Sequence, residues 1–234
     1  MSIQEHVNAV REKMAAAAKA AGRDPGEITL CAATKVQTDD TIREAIAAGI
    51  TVCGENRVQE LTAHLEANAY EGAQVHFIGH LQTNKVRQLL ASRRVALIES
   101  VDSLRLLQAI DAESKRLGII SRVLLQVHVA REETKFGFSP EEFAEFFRAG
   151  VFRSLEATHI CGIMGMASNT DDTARVAADF RQIADCRRQA LDLAPDLRGF
   201  DIVSMGMSGD YPLAIAEGST LVRIGTAIFG PREY

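Results

Sequence analysis

The feature that most constrains this chain is a regular alternation. Short apolar runs rich in β-formers are each followed by a stretch with helical period, and the cycle repeats eight times. Strands are expected at residues 28–34, 51–54, 75–78, 95–100, 121–129, 159–164, 201–205 and 220–224. Helices are expected over residues 38–48, 57–69, 83–91, 103–117, 139–149 and 171–193, with a short one after the seventh strand that ends at Gly218. Gly49 and Gly118 fall just past two of these helices, and Ser139-Pro140 forms a cap and first-turn pair before another. An additional helix precedes the first strand. It opens on Ser2-Ile3-Gln4-Glu5, which has capping-box spacing, and runs to about Ala21. Residues 227–229 begin a short tail. Strands separated by helices argue for a parallel sheet, because parallel neighbours need a crossover connection. Eight is the number that closes such a sheet into a barrel, while an open doubly wound sheet is the rival that periodicity leaves standing. No stretch reads as a linker or as low complexity. The expectation is an α/β fold, a single (β/α)8 barrel domain over residues 1–234.

Composition narrows the function. A net charge of −5 and a pI near 5.7 argue against a nucleic-acid binder, whose domain carries a basic face. No apolar run approaches the roughly 20 residues that span a membrane. Met14–Ala18 is Ala-rich, but Arg11, Glu12, Lys13 and Lys19 flank it too closely for a secretory leader. Cys31, Cys53, Cys161 and Cys186 form no C-x-x-C pair and have no histidine at ligand spacing, so neither a metal site nor a disulfide framework is expected. Buried thiols in a reducing compartment, and hence a cytoplasmic protein, are the reading.

In such a barrel the chemistry sits at the C-terminal ends of the strands. The loops after strands 7 and 8 often bind phosphate there, with glycines for close backbone approach and hydroxyls as donors. Ser204, Gly206, Ser208, Gly225 and Thr226 supply that set without a lysine in either loop. The alternative is that Ser208 caps a helix and the glycines make turns. Lys35 follows strand 1, across the barrel seam from those loops. Partial burial would lower its pKa and let the amine form an imine; otherwise it snorkels from the rim. A lysine imine beside an anchored phosphate suits pyridoxal 5′-phosphate (PLP).

Arg223 lies one pleat before Gly225. Facing inward, it would place a cation against a pyridine nitrogen, keep that nitrogen unprotonated and weaken the ring as an electron sink. Facing elsewhere, it would pair with Glu217 or Asp201. Asn56 either hydrogen-bonds the ring hydroxyl or a water near the lysine, or caps the next helix. His80 either stacks on a bound ring or holds a loop through a backbone bond. Glu55 reads as structural, paired with Arg57 or another rim cation. His128, Glu132 and Lys135 are further rim positions.

Several stretches resemble one family. They are Ala32-Ala33-Thr34-Lys35, Gly54-Glu55-Asn56-Arg57-Val58-Gln59-Glu60, residues 76–85, Glu133-Thr134-Lys135-Phe136-Gly137, and the run from Ser204-Met205-Gly206-Met207-Ser208 through residues 218–230. In this order they resemble the pyridoxal phosphate homeostasis protein family. The resemblance implies a fold-type III PLP barrel, like the N-terminal domain of alanine racemase. It implies a Schiff base on Lys35, phosphate contacts from residues 204–208 and from Gly225-Thr226, and Arg223 toward the pyridine nitrogen. It also implies a role in PLP homeostasis and cofactor supply, with no established turnover. Two departures stand out: His128 replaces the family's common Asn after Gln126-Val127, and Val36-Gln37-Thr38 lacks a second lysine found in some members.

The main alternative is a PLP-dependent amino-acid racemase. That reaction needs a base on each face of the substrate. The tyrosines are Tyr70, Tyr211 and Tyr234, and only Tyr211 lies near the phosphate loop. A sugar-phosphate enzyme with a lysine imine is a third reading, disfavoured by a lysine on strand 1. The expected partners are PLP itself and apo PLP-dependent enzymes as recipients, with no nucleic acid and no membrane. A monomer is expected.

Overall fold

The computed structural model describes residues 2–131 and 136–231. The first helix, α1 (Ile3–Ala20), is capped as its sequence demands. The Ser2 hydroxyl accepts from the Glu5 amide at 3.2 Å, and the Glu5 carboxylate accepts from the Ser2 amide at 2.7 Å. There follow β1 (Thr29–Ala33), α2 (Asp39–Ala47), β2 (Val52–Glu55), α3 (Val58–Glu66), β3 (Gln74–Phe77), α4 (Val86–Ala91), β4 (Val95–Val101) and α5 (Leu104–Leu117). The second half comprises β5 (Ser121–Val127), α6 (Pro140–Arg148), β6 (Thr158–Gly165), α7 (Thr173–Leu193), β7 (Ile202–Ser204), α8 (Tyr211–Ala216), β8 (Leu221–Ile224) and α9 (Thr226–Phe229). All eight strands pair in parallel in chain order, and β8 returns to β1, so the sheet is a closed barrel and the open-sheet rival is excluded.

The differences from the expected elements are local. Residues 83–85 form a 3-10 turn before α4, and Gln82 provides no side-chain cap there. Strand β5 stops at Val127, where the His128 amide donates to Phe138 O and the Phe138 amide to Gln126 O in an isolated parallel bridge. Residues 226–229 are a helical turn rather than an irregular tail.

Two apolar layers hold the barrel. The larger lies between sheet and helices, with Ile42, Leu61, Phe77, Phe143, Phe147 and Phe180 all buried within it. The smaller is the interior plug of Cys31, Val52, Leu97, Leu124, Cys161, Met164 and Leu221. Strand parity then dictates what else points inward. His76 pairs with Leu97, Arg223 with Cys31, and Ser204 with Met164 and Leu221, so all three side chains face the interior. Glu99, two residues beyond Leu97, joins them. A barrel core is normally filled by branched apolar side chains, so this polar group is the departure from type.

Helix α1 lies across the seam between the first and last strands. Arg23 Nη1 donates to Ile215 O and Ser219 O at 2.8 Å each, and a His6 ring nitrogen lies 2.8 Å from Ile228 O. His6 of the N-terminal helix and Arg23 just beyond it thus tie this end of the chain to backbone carbonyls in and around the short C-terminal helices. No helix among the described residues is long and apolar enough to cross a membrane.

Candidate cofactor site

The C-terminal mouth is assembled from the ends of β1, β2, β3, β7 and β8. After β1, the Thr34 amide donates to Gly54 O at 2.9 Å, tying the two strand ends together. Gln37 N then donates to Thr34 O at 3.0 Å and closes a turn with Lys35 and Val36 at its centre. Val36 takes a φ of 61°, a left-handed conformation that turns normally reserve for Gly or Asn. A β-branched residue there is strained, and the strain sits next to Lys35. Lys35 is half-buried, two residues beyond the last residue of β1.

Glu55, fully buried at the end of β2, accepts from Thr34 Oγ1 at 3.2 Å and from the Asn56 amide at 3.0 Å. Burial outweighs these bonds and pushes its carboxyl above the ordinary range. The pairing expected between Glu55 and Arg57 is absent. Arg57 instead meets Glu60 at 3.0 Å, and Glu60 also accepts from the Val36 amide at 3.3 Å. Asn56 does not cap α3: Arg57 is the N-cap residue and makes no side-chain cap bond. The Asn56 side-chain oxygen Oδ1 is buried with no partner. A buried acceptor without a donor is costly, and it fits a ligand or ligand-bound water as the missing group.

The contacts of His80 among the described residues are with side chains rather than with a loop carbonyl or amide. Its Nδ1 lies 2.9 Å from an Asp102 carboxylate oxygen, and its ring stacks on Phe136 with centroids 3.6 Å apart and 12° between planes. Asp102 and Phe136 were not legible as site residues. Asp102 directly follows β4, so its place at a strand end was the available signal. Glu132 and Lys135 lie outside the described residues, as does Tyr234.

The last two loops divide the expected phosphate set. Gly206 has φ +96°, and a Cβ there would lie 2.6 Å from Ala214 Cβ, so only Gly lets this loop pass under α8. The Ser208 Oγ accepts from the amides of Gly225 and Ala227 at 3.2 and 3.3 Å. It occupies, with an oxygen, the two donors that an anion would use, and does not simply cap α8. Gly225 lies beside Ala33, and a Cβ on it would stand 3.5 Å from Ala33 Cβ. Thr226 is exposed at the start of α9.

Ser204 does something else. Fully buried, it donates to Glu99 Oε2 at 2.6 Å, while Arg223 Nη1 donates to the Ser204 oxygen. Arg223 Nη2 donates to Gly165 O at 3.0 Å, and Nη1 lies 3.9 Å from Glu99. The other pairings weighed for Arg223 are taken: Glu217 meets Arg181 at 2.8 Å, and Asp201 lies 3.8 Å from Arg187. Glu99 Oε1 lies 2.7 Å from His76 Nδ1. Burial opposes the Glu99 charge, but His76, Arg223 and Ser204 outweigh it and hold the carboxyl below the ordinary range. Cys31, His76 and Glu99 offer ligand atoms within 4.8 Å of one another. Both Glu99 oxygens are already engaged, and the Arg223 guanidinium beside them opposes a second cation.

The sequence model of the alanine racemase N-terminal domain matches residues 3–233. The chain is 36% identical, over all of both chains, to the pyridoxal phosphate homeostasis protein of Aquifex aeolicus. It belongs to the pyridoxal phosphate homeostasis protein family. The structure of PipY from Synechococcus elongatus with PLP bound superposes at a TM-score of 0.84, with 32% identity, 98% of this chain and 100% of that one covered. Alanine racemase from Streptomyces lavendulae, at 18% identity and TM-score 0.70, shares the barrel fold over 99% of this chain and 58% of its own. In this member Tyr211 is buried at the start of α8, where burial raises its hydroxyl pKa.

Proposed function

We propose that the chain holds PLP as a Schiff base on Lys35 and serves intracellular PLP homeostasis and cofactor supply without turnover of its own. The observation that carries this reading is the adjacency of β1 and β8 at one end of the barrel. Ala32 pairs with Ile224, so Gly225 sits beside Ala33 and the turn bearing Lys35 rises next to the Gly225 and Ala227 amides. An amine and a pair of backbone donors, held by the Ser208 oxygen that an anion would replace, share one mouth. Bound PLP supplies an aldehyde that condenses with an amine and a ring that withdraws electrons.

The chain's own residues divide the remaining work. Gly206, Ser208, Gly225 and Thr226 take the phosphate end. Asn56 offers its unpartnered oxygen to the ligand or its water, and His80, braced by Asp102 and Phe136, walls the mouth. Arg223 presents a cation to the ring nitrogen, while Ser204 acts from beneath by holding Arg223. A cation against that nitrogen disfavours its protonation and weakens the electron sink, which supports a carrier over a racemase. The burial of Tyr211 supports it too, since a second base must reach the substrate. The names of the relatives and the PLP-bound PipY structure favour the same cofactor. The reading includes one domain over residues 1–234, a monomer in the cytoplasm, and apo PLP-dependent enzymes as recipients.

The test is spectroscopic. The purified protein mixed with PLP should absorb near 420 nm, an approximate position for a protonated imine of this cofactor. Borohydride should trap the adduct on Lys35, and Lys35→Ala should abolish the band. A protein that saturates with PLP and yields no trapped adduct on Lys35 would sink the proposal. Release of α-deuterium from an amino acid at a catalytic rate would replace the carrier by the racemase.

A further inference from the structure

The barrel axis holds a hydrogen-bonded series that runs His76–Glu99–Ser204–Arg223–Gly165 O. Glu99 and Ser204 are fully buried, and His76 and Arg223 are each 5% exposed. Burying a carboxylate and a guanidinium costs several kcal/mol per ion unless both are paired, and apolar side chains of similar volume would fill the same space with less penalty. Stability alone is therefore a poor reason for this arrangement. Its geometry suggests another. Glu99 stands two residues beyond Leu97, on the opposite side of the interior from Arg223, and reaches it by one hydroxyl and one charge contact at 3.9 Å. Ser204 donates to Glu99 and accepts from Arg223, so the direction of the hydroxyl proton is set by the carboxylate. Of the five guanidinium N–H groups of Arg223, these bonds engage one on each terminal nitrogen. His76 closes the far end of the series, lining a cavity of about 490 Å³ that opens at the N-terminal end of the barrel.

We propose that Glu99 is a positioning residue for Arg223: through Ser204 and its own charge it fixes the guanidinium on the barrel axis and so sets the electrostatic environment of the ring nitrogen of a bound cofactor. The inference rests on the PLP reading above for its final step. Its first step, the immobilisation of Arg223, is a property of the chain alone. A carboxylate anchor leaves the guanidinium one orientation, whereas an amide in its place removes the charge and offers Ser204 a weaker acceptor. The cation would then sample several rotamers, and the ring would meet an averaged field.

The experiment separates the two steps. In the protein without PLP, the guanidinium N–H resonances of Arg223, assigned by their loss in Arg223→Lys, should be resolved and slow to exchange with water. Glu99→Gln should exchange them at least about tenfold faster, the loss of one charge-assisted hydrogen bond. Ser204→Ala, which keeps both charges and a small buried side chain, should do the same and decides the matter if Glu99→Gln fails to fold. With ring-15N PLP added, wild type and the folded variants should differ in ring-nitrogen chemical shift. Unchanged exchange of the Arg223 protons in the variants would overturn the inference even if PLP binds Lys35 as proposed. Altered exchange with identical ring-nitrogen shifts would overturn its final step. Failure of wild type to bind PLP would leave the positioning intact and refute the functional reading instead.

Discussion

Replacing Gly79 by Ala tests how closely β2 and β3 must approach for the mouth to form. A Cβ at this position would lie 2.0 Å from the Asn56 carbonyl oxygen and 2.6 Å from Asn56 C and Cα. Non-bonded carbon contacts settle near about 3.5 Å, so the two strand ends must part by more than about 1 Å, and the obstacle is backbone that cannot rotate away. One bond spans that gap, Ile78 N to Glu55 O at 2.8 Å, and a second, Ser100 Oγ to Gly79 O at 2.5 Å, ties the displaced Gly79 to β4. Losing or stretching them costs about 1 kcal/mol each, and overpacking adds about 1–3 kcal/mol. Ala returns up to about 1 kcal/mol by restricting the unfolded chain. The net expectation is a loss of about 3 kcal/mol, or a Tm lowered by about 6–12 °C for a chain of this length. Chemical denaturation and calorimetry would measure it, with Gly209→Ala as the control. A Cβ on Gly209 meets no heavy atom within 4 Å, so that change should stay within about 0.5 kcal/mol. Asn56 should move with the strand end, so PLP retention should fall in the folded fraction of Gly79→Ala as well. A Gly79→Ala protein as stable as Gly209→Ala would refute the close-approach argument and, with it, the account of how Asn56 is held.

Two further outcomes follow from the site and the core. Val36→Asn should raise stability by about 0.5–1 kcal/mol, because Asn tolerates the left-handed φ that Val36 adopts and Val36, 60% exposed, gives up little packing; a lower Tm would show that the turn is unstrained. All four cysteines are buried, with burial pushing Cys53 up to about 12, Cys186 up to about 11 and Cys31 well above its usual value. Since the thiolate is the reactive form, an aromatic disulfide reagent at pH 8 should label none of them rapidly in the native state and all four in denaturant, and fast native labelling of Cys31 or Cys53 would contradict the packing at β1 and β2.

What the sequence determined by itself was the part encoded by near neighbours. Strand and helix periods, the Ser2–Glu5 capping box and the Ser139-Pro140 helix start depend on residues within a few positions of one another; both helix starts appear as read, and the eight strands appear in their expected order with shifts only at their ends. Eight strand-helix cycles in one chain also pointed to the closed barrel, although only the β1–β8 ladder excluded an open sheet. The candidate loops were legible because chemistry in such a barrel is confined to one end of the strands. Which way each side chain turned within that end was not. Ser204, the last residue of β7, and Ser208, in the loop after it, lie four residues apart. One is drawn into the axis by Glu99, 105 residues away in sequence, and the other crosses to the amides of the next strand. Glu99 itself read as part of an apolar strand, and Asp102 as a loop residue. Their partners come from strands whose register accumulates over the whole barrel, so the pairing of Arg223 with Ser204 and Glu99, rather than with Glu217 or Asp201, was settled only when β8 closed against β1. A polar side chain in the interior takes whatever partner the closed sheet places opposite it, because leaving it unpaired costs more than any local preference can return.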